Sequence, residues 1–253
     1  VKILVINGNT NASITNEVER TGRQVAFPGT EVVALTPNVG PPTVEGYLDG
    51  QLSALGVCEA IAAHQVEADA FVIACFSDPG LYAAREFSVK PVVGIAQASM
   101  ITAIQLGYRF GLLSPQPRLR PVLEGLVRYY GFQEHFGGIW TINQSVAEVV
   151  NSGNRLNIFL KAAQCFVQQA DVQVLILAGA VFSGLDVAMS QHLGKPVLDP
   201  VKCAIIQAQG LVLLPTNVAN KTNGLPLSFQ SSNQDLPTIS ALIDRSMKEK
   251  FSH

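Results

Sequence analysis

Residues 70–80 read Ala70-Phe71-Val72-Ile73-Ala74-Cys75-Phe76-Ser77-Asp78-Pro79-Gly80. The run from Ala70 is continuously apolar rather than alternating. That describes a strand covered on both faces, as in a parallel sheet wrapped by helices. The strand closes at Cys75 and a turn follows, where Asp78 suits an N-cap and Pro79 the first helical position. The same strand, turn and helix rhythm runs outward in both directions. It predicts strands at Lys2–Ile6, Glu31–Leu35, Ala70–Cys75, Pro91–Ile95, Phe110–Ser114, Gly138–Ile142, Val174–Ala178 and Pro196–Leu198. Helices are predicted at Ser13–Val25, Leu52–Val66, Gly80–Phe87, Ala98–Leu106, Pro121–Tyr130, Arg155–Gln169, Leu185–His192 and Val201–Gln209. The fold class is α/β, and the carboxyl ends of such strands are where ligand loops gather.

The chain also echoes itself. Lys90-Pro91-Val92-Val93 returns 105 residues later as Lys195-Pro196-Val197-Leu198. Val72-Ile73-Ala74-Cys75 returns 104 residues later as Ile176-Leu177-Ala178-Gly179, and Ile3–Asn7 is matched 107 residues on by Phe110–Ser114. Three matches in order at nearly one offset predict two similar lobes facing one another. The first is expected to comprise residues 1–98 with about 205–253, the second residues 99–204. From Leu214 to Pro237 the composition turns polar, which describes either a functional cover or a surface excursion before a last helix near Thr238–Lys250.

Composition narrows the function. The 253 residues carry 17 Lys plus Arg against 19 Asp plus Glu, a net charge of −2, and 48% are hydrophobic. An isoelectric point of about 6.1 offers no basic stripe, so nucleic acid is not an expected partner. Mean hydropathy is high at +0.28, but no apolar run reaches the ~18 residues of a membrane span. The excess belongs in a core, and some of it between subunits of a homo-oligomer. The start, Val1–Asn7, lacks the pattern of a signal peptide. Cys58, Cys75, Cys165 and Cys203 form no Cys-x-x-Cys pair, so neither a disulfide framework nor structural zinc is expected. A cytoplasmic protein is the expectation. His64, His135, His192 and His253 show no ligand spacing, so no metal is expected.

Three strand ends carry candidate chemistry. Asn7-Gly8-Asn9-Thr10-Asn11 follows the first strand and offers amides to a ligand oxygen, with Ser13 as a candidate N-cap and Glu17 in the first turn. It is no Gly-x-Gly-x-x-Gly fingerprint, and its alternative reading is a plain tight turn. Cys75 stands just before a helix start, where the dipole is expected to lower its pKa. Its alternative reading is packing, the common fate of a free cysteine. The matching end of the second lobe, Leu177-Ala178-Gly179-Ala180-Val181-Phe182-Ser183-Gly184, has no ionisable group. Gly179 fills the slot of Cys75 there, and Ser183 is the nearest hydroxyl. Glu45, Tyr47 and Asp49 are candidates for the cleft mouth. Arg118, after the fifth strand, is a candidate clamp for a substrate carboxylate, or else a surface arginine. Trp140 reads as core.

These residues resemble the Asp/Glu/hydantoin racemase superfamily, in particular its hydantoin and allantoin racemase branch. The likeness is carried by Ile6–Thr10, Gly40–Gly46, Ile73–Gly80, Pro91–Ile95 and Gly194–Asp199, and it covers residues 1 to about 210. It implies two Rossmann-like lobes with parallel sheets, related by a pseudo-twofold, and an active site in the cleft between them. It also implies chemistry on a small molecule without cofactor or metal. One cysteine thiolate takes a proton from carbon while a second thiol delivers one to the opposite face. By this match Cys75 is the first thiol. Asn9, Thr10 and the amides near Ser77 steady the enolate oxygen.

The departure falls on the second thiol. The family segment commonly reads Leu-Gly-Cys-Ala-Gly, where this chain has Leu177-Ala178-Gly179-Ala180-Val181. Gln97 stands where related racemases often carry Glu. Cys58, Cys165 and Cys203 are not expected to replace the missing thiol. One cysteine suits an isomerase that moves a proton at the acidic carbon of a hydantoin-like or carboxylated substrate. It also suits a cofactor-free decarboxylase, the second reading, and a third is a binding protein that has lost turnover. Single-cysteine decarboxylases occur in the superfamily, with the thiol in the other lobe. Ser183 is a poor base at the pKa of a free hydroxyl.

Overall fold

The computed structural model describes residues 1–142, 154–179 and 182–214. All eight expected strands are present: β1 (Lys2–Asn7), β2 (Glu31–Leu35), β3 (Ala70–Ala74), β4 (Val92–Gly94), β5 (Phe110–Ser114), β6 (Phe136–Thr141), β7 (Val174–Leu177) and β8 (Val197–Leu198). Among the described residues, eight α-helices separate or follow them: α1 (Ala12–Arg23), α2 (Tyr47–Ala63), α3 (Leu81–Phe87), α4 (Ile95–Leu106), α5 (Arg120–Tyr129), α6 (Arg155–Gln169), α7 (Asp186–Leu193) and α8 (Pro200–Val212). The expected helix at Thr238–Lys250, and the polar segment 214–237 beyond Leu214, lie outside the described residues.

The strands form two four-stranded parallel sheets in the orders β2-β1-β3-β4 and β6-β5-β7-β8. Adding four to each strand of the first order gives the second, so the weak internal repeat corresponds to a repeated topology. Register makes the match residue by residue. Phe71 pairs with Val92 in the first sheet, and Leu175 pairs with Val197 in the second. Four residues on from each partner stand Cys75 and Gly179. In β6 a one-residue slip occurs between the Phe110–Phe136 and Leu112–Ile139 pairs. The bulge lies at Gly137-Gly138, where Gly138 has a φ of 118° that a side chain would resist.

The two sheets share one core. Val5, Val72 and Ala74 of the first cluster with Leu112 and Ile176 of the second, joined by Met100, Ala103, Ala204 and Ala208 from α4 and α8. Helix α4 follows the last strand of the first sheet but packs on β5 and β7 of the second as well as on β3 and β4. Helix α8 follows the last strand of the second sheet and packs on β1, β3 and β4 of the first. Both are buried over most of their circumference, as their near-continuous apolar sequences require.

Local signals differ from expectation at several helix starts. Asn11, not Ser13, caps α1, its side-chain oxygen accepting from the backbone N–H of Ser13 at 3.0 Å. Helix α2 begins at Tyr47 rather than Leu52, which brings Tyr47 and Asp49 out of the expected loop. Asp49 accepts from the N–H of Glu45 at 2.9 Å and so secures the start. Helix α3 begins at Leu81 behind a left-handed Gly80, so Asp78 and Pro79 do not start it.

Asp78 instead reaches across to α4 and accepts from Ala96 N at 3.0 Å and Gln97 N at 2.8 Å. Gly94, the N-cap of α4, makes room for it: a Cβ there would stand 2.4 Å from the Asp78 carboxyl carbon. At the matching place 105 residues on, Asp199 caps α8 through Val201 N and also accepts from Gly184 N at 2.9 Å. In each half a buried carboxylate ties the loop after the third strand to the helix after the fourth. In one half the loop supplies it, in the other the helix cap.

Helix α2 lies hard against the loop after β2, since a Cβ on Gly56 would sit 1.8 Å from the Val39 carbonyl oxygen, whereas one on Gly50 meets nothing within 4 Å. Gly56→Ala should therefore lower unfolding free energy by about 1–3 kcal/mol, while Gly50→Ala should raise it by up to ~1 kcal/mol. Urea unfolding of both variants checks the pair; equal effects would contradict this packing.

Candidate active site

A cleft opens where the carboxyl ends of the two sheets face each other. Its empty space is about 840 Å³, including the part open to solvent. One wall is Asn9, Asn11, Ile14, Pro42–Gly46 and Ala74–Ser77. The other is Pro115, Gln116, Leu119, Val122, Leu123, Ala178 and Gly179. Cys75 and Gly179, equivalent by register, thus meet across one space. Of the expected site residues, Cys75, Asn9, Ser77, Glu45 and Gly179 line it together.

The other four are placed differently. The N–H of Thr10 donates to the Pro41 carbonyl at 3.0 Å and its hydroxyl turns toward the same atom at 3.4 Å, so Thr10 fastens the 40–46 loop instead of facing the cleft. Tyr47 is 62% exposed and donates its hydroxyl to the Pro121 carbonyl at 3.1 Å, linking the halves outside the lining. Arg118 is exposed, with its guanidinium against Gly46. Ser183 is buried, outside the lining, and its hydroxyl has no partner among the described residues. The cleft therefore receives no hydroxyl acid from Ser183.

The loop after β1 is built on Asn7, which is fully buried. Its Nδ2 approaches Asn9 Oδ1 at 3.1 Å, the Asn11 carbonyl at 3.0 Å and Thr15 Oγ1 at 3.0 Å, while its Oδ1 accepts from Asn9 N at 3.2 Å. Asn9 Oδ1 also accepts from the backbone N–H of Asn11 at 2.9 Å. A backbone donor fixes which end of the Asn9 amide is oxygen. Its nitrogen is left with both N–H groups uncommitted among the described residues. Sequence reasoning singled out Asn9 but not Asn7. The signal for Asn7 was its position at the closing end of an apolar strand, where a polar side chain must be paired or costly.

Cys75 packs onto Gly8. A Cβ on Gly8 would lie 2.3 Å from Cys75 Cβ and 3.0 Å from its sulfur, and the Gly8 carbonyl is held by the Ser53 hydroxyl. The thiol lies 3.4 Å from Ser77 Oγ. The expected depression of its pKa is not found. Burial pushes the thiol above its ordinary value, the two hydrogen bonds from Ser77 pull it down, and the Asp78 carboxylate raises it further. The helix-dipole argument fails because α3 has only seven residues and starts at Leu81, beyond an intervening turn.

Around the thiol the lining is neutral apart from the carboxyl group of Glu45. No Lys, Arg or His lines the cleft among the described residues. Nor does any group of three His, Cys, Asp or Glu among them stand close enough to hold a metal. Cys58 lies in α2 near the Gly80 carbonyl, and Cys203 is buried in α8, where burial pushes its thiol up to about 12. Trp140 stacks on Phe166 at 5.8 Å, as the core reading expects. No helix is long and apolar enough to cross a membrane among the described residues.

The chain is similar to known proteins over most of its length. The model of the Asp/Glu/hydantoin racemase family matches residues 3–208. Hydantoin racemase from Pseudomonas sp. (strain NS671) is 36% identical over 214 residues, spanning 84% of this chain and 86% of that protein. Allantoin racemase from Klebsiella pneumoniae superposes with a TM-score of 0.81 at 34% identity, covering 84% of this chain and 87% of its own. Allantoin racemase from Pseudomonas fluorescens superposes with a TM-score of 0.83 at 29% identity, covering 89% and 98%.

Alkylation of Cys75 by iodoacetamide should show a pH midpoint above the ~8.5 of a free thiol, and Ser77→Ala should move it higher still. Gly8→Ala should displace the thiol and change its alkylation rate severalfold. A midpoint below 7 in the unaltered protein would contradict the burial that dominates this site.

Proposed function

We propose, for a chain that belongs to the Asp/Glu/hydantoin racemase family, a cofactor-independent isomerase that moves a proton at the acidic carbon of a neutral, hydantoin-like ring, with Cys75 as the proton carrier. The observation that carries this reading is the Cys75 thiol at the wall of an interlobe cleft whose other lining residues are neutral, Glu45 excepted. A half-buried thiol with a raised pKa, resting in its neutral form, is poised to return a proton to an enolate. Its thiolate, a minority species at neutral pH, takes one from carbon. Asn9 Nδ2 supplies two free N–H groups for the charge that develops on the substrate oxygen, a preorganised donor of the oxyanion-hole kind.

The charge of the lining bears on the substrate. Glu45 accepts from the N–H groups of a cyclic ureide, while no lining cation among the described residues answers a substrate carboxylate. Diacids would bring like charge toward Glu45, which weighs against the carbon–carbon lyase alternative. Opposite Cys75, Gly179 has no side chain to offer a proton, and no other acid stands on that wall among the described residues, so water serves the far face of the ring. The two faces are then served unequally.

With a 5-monosubstituted hydantoin in deuterium oxide, isotope should enter one enantiomer about tenfold faster than optical rotation decays. Cys75→Ala should lower exchange by the 10²–10⁴ typical of lost acid–base catalysis. Gly179→Cys should bring the rate of racemisation toward that of exchange. kcat/KM should rise as pH climbs toward the elevated thiol pKa. Exchange that survives Cys75→Ala intact removes this cysteine from the chemistry.

A further inference from the structure

Asp78 is the one described residue other than glycine with a positive φ, 44°, in a region that L residues enter at a cost. It closes the turn that carries the thiol: its N–H donates to the Cys75 carbonyl at 2.9 Å, and its own carbonyl accepts from Leu81 N at 3.2 Å. The strained conformation is held by the carboxylate. Besides Ala96 N and Gln97 N, that carboxylate accepts from the Tyr130 hydroxyl at 2.7 Å. Asp78 is 5% exposed, so these bonds are sheltered from competing water.

Tyr130 belongs to the other half of the molecule. It is the C-cap of α5, the helix whose Val122 and Leu123 line the cleft wall facing Cys75. The bond from Tyr130 to Asp78 therefore joins the turn that bears the thiol to the helix that forms the opposite wall. It spans 52 residues of sequence. Among the described residues it is the only hydrogen bond between these two elements. Arg85 and Tyr82 of α3 complete the charged and titratable surroundings of Asp78, with Arg85 Nη2 donating to Gln97 Oε1 at 2.8 Å.

We infer that Tyr130 is a positioning residue for Cys75, its hydroxyl fixing the Asp78 turn and thereby the distance between the thiol and the facing wall. This rests on the reading of Cys75 as the proton carrier, but its geometry is open to test without turnover. Removing the hydroxyl leaves that carboxylate oxygen with Gln97 N as its remaining partner, relaxes the turn and loosens the packing around the sulfur.

In Tyr130→Phe the alkylation midpoint of Cys75 by iodoacetamide should fall toward the free-thiol value, and the limiting rate at high pH should rise severalfold. With a 5-monosubstituted hydantoin, kcat should drop about tenfold while KM changes less than twofold. Tyr129→Phe, at an exposed neighbouring ring, should leave both unchanged. Asp78→Asn, which keeps an acceptor for α4, should shift alkylation in the same direction and serves if Tyr130→Phe does not fold. A folded Tyr130→Phe with the parental alkylation profile overturns the proposal, even if its melting temperature falls. A shifted profile with no hydantoin turnover in the unaltered protein supports the positioning role and counts against the activity alone.

Discussion

Helices α4 and α8 have too little polar surface to stand in water, and each crosses from the sheet that precedes it to cover the other. Burying a Leu, Ile or Met side chain contributes roughly 1.5–3 kcal/mol, and Met100, Ile95, Val201 and Ile205 are all fully buried. The crossing is thus strongly favoured, and it dictates the rest. Two sheets sharing a pair of helices are held with the carboxyl ends of β1, β3, β5 and β7 toward one space. The loop amides of Asn9, the thiol of Cys75 and the bare backbone of Gly179 come together because of where the apolar helices must go.

Within that space desolvation outweighs the helix dipole. A seven-residue helix beginning beyond a turn lends little field to a sulfur six residues upstream, whereas burial acts on the sulfur directly. The same contest governs Asp78, pushed up to about 6 by burial although Ala96, Gln97, Tyr130 and Arg85 all favour its charged form.

Strands were legible because both faces are buried: continuous runs such as Phe110–Ser114 have no other use in a chain with so few charges. Repeats at nearly one offset were legible for the same reason. Helix starts were not, because they depend on partners distant in sequence. Ile95 reads as the tail of a strand and Ala98 as the start of a helix until Asp78 is seen holding the amides of Ala96 and Gln97. Local pattern placed Asp78 as a cap for its own helix, and only the fold reveals which helix it serves. Cys75, Asn9, Ser77, Glu45 and Gly179 were found because they stand at strand ends or in a neighbouring loop that faces the same edge. Thr10 and Ser183 share such positions, yet a one-residue change of direction turns Thr10 to Pro41, and packing encloses Ser183. Tyr130 carried no sequence signal, since its partner lies in the other half of the chain.

The reversed ownership of the bridging carboxylate, on the loop at Asp78 but on the cap at Asp199, makes the two halves non-interchangeable despite their common topology. A chimera that grafts residues 75–80 in place of the loop after β7 would set one buried acid against another, with Asp199 already holding the amides both require. A swap of Gly94 for the capping acid of the second half would repeat the collision on the other side. Parts copied between the halves would have to travel as matched loop-and-cap pairs, which places a limit on how recombination could ever move the thiol from one wall to the other.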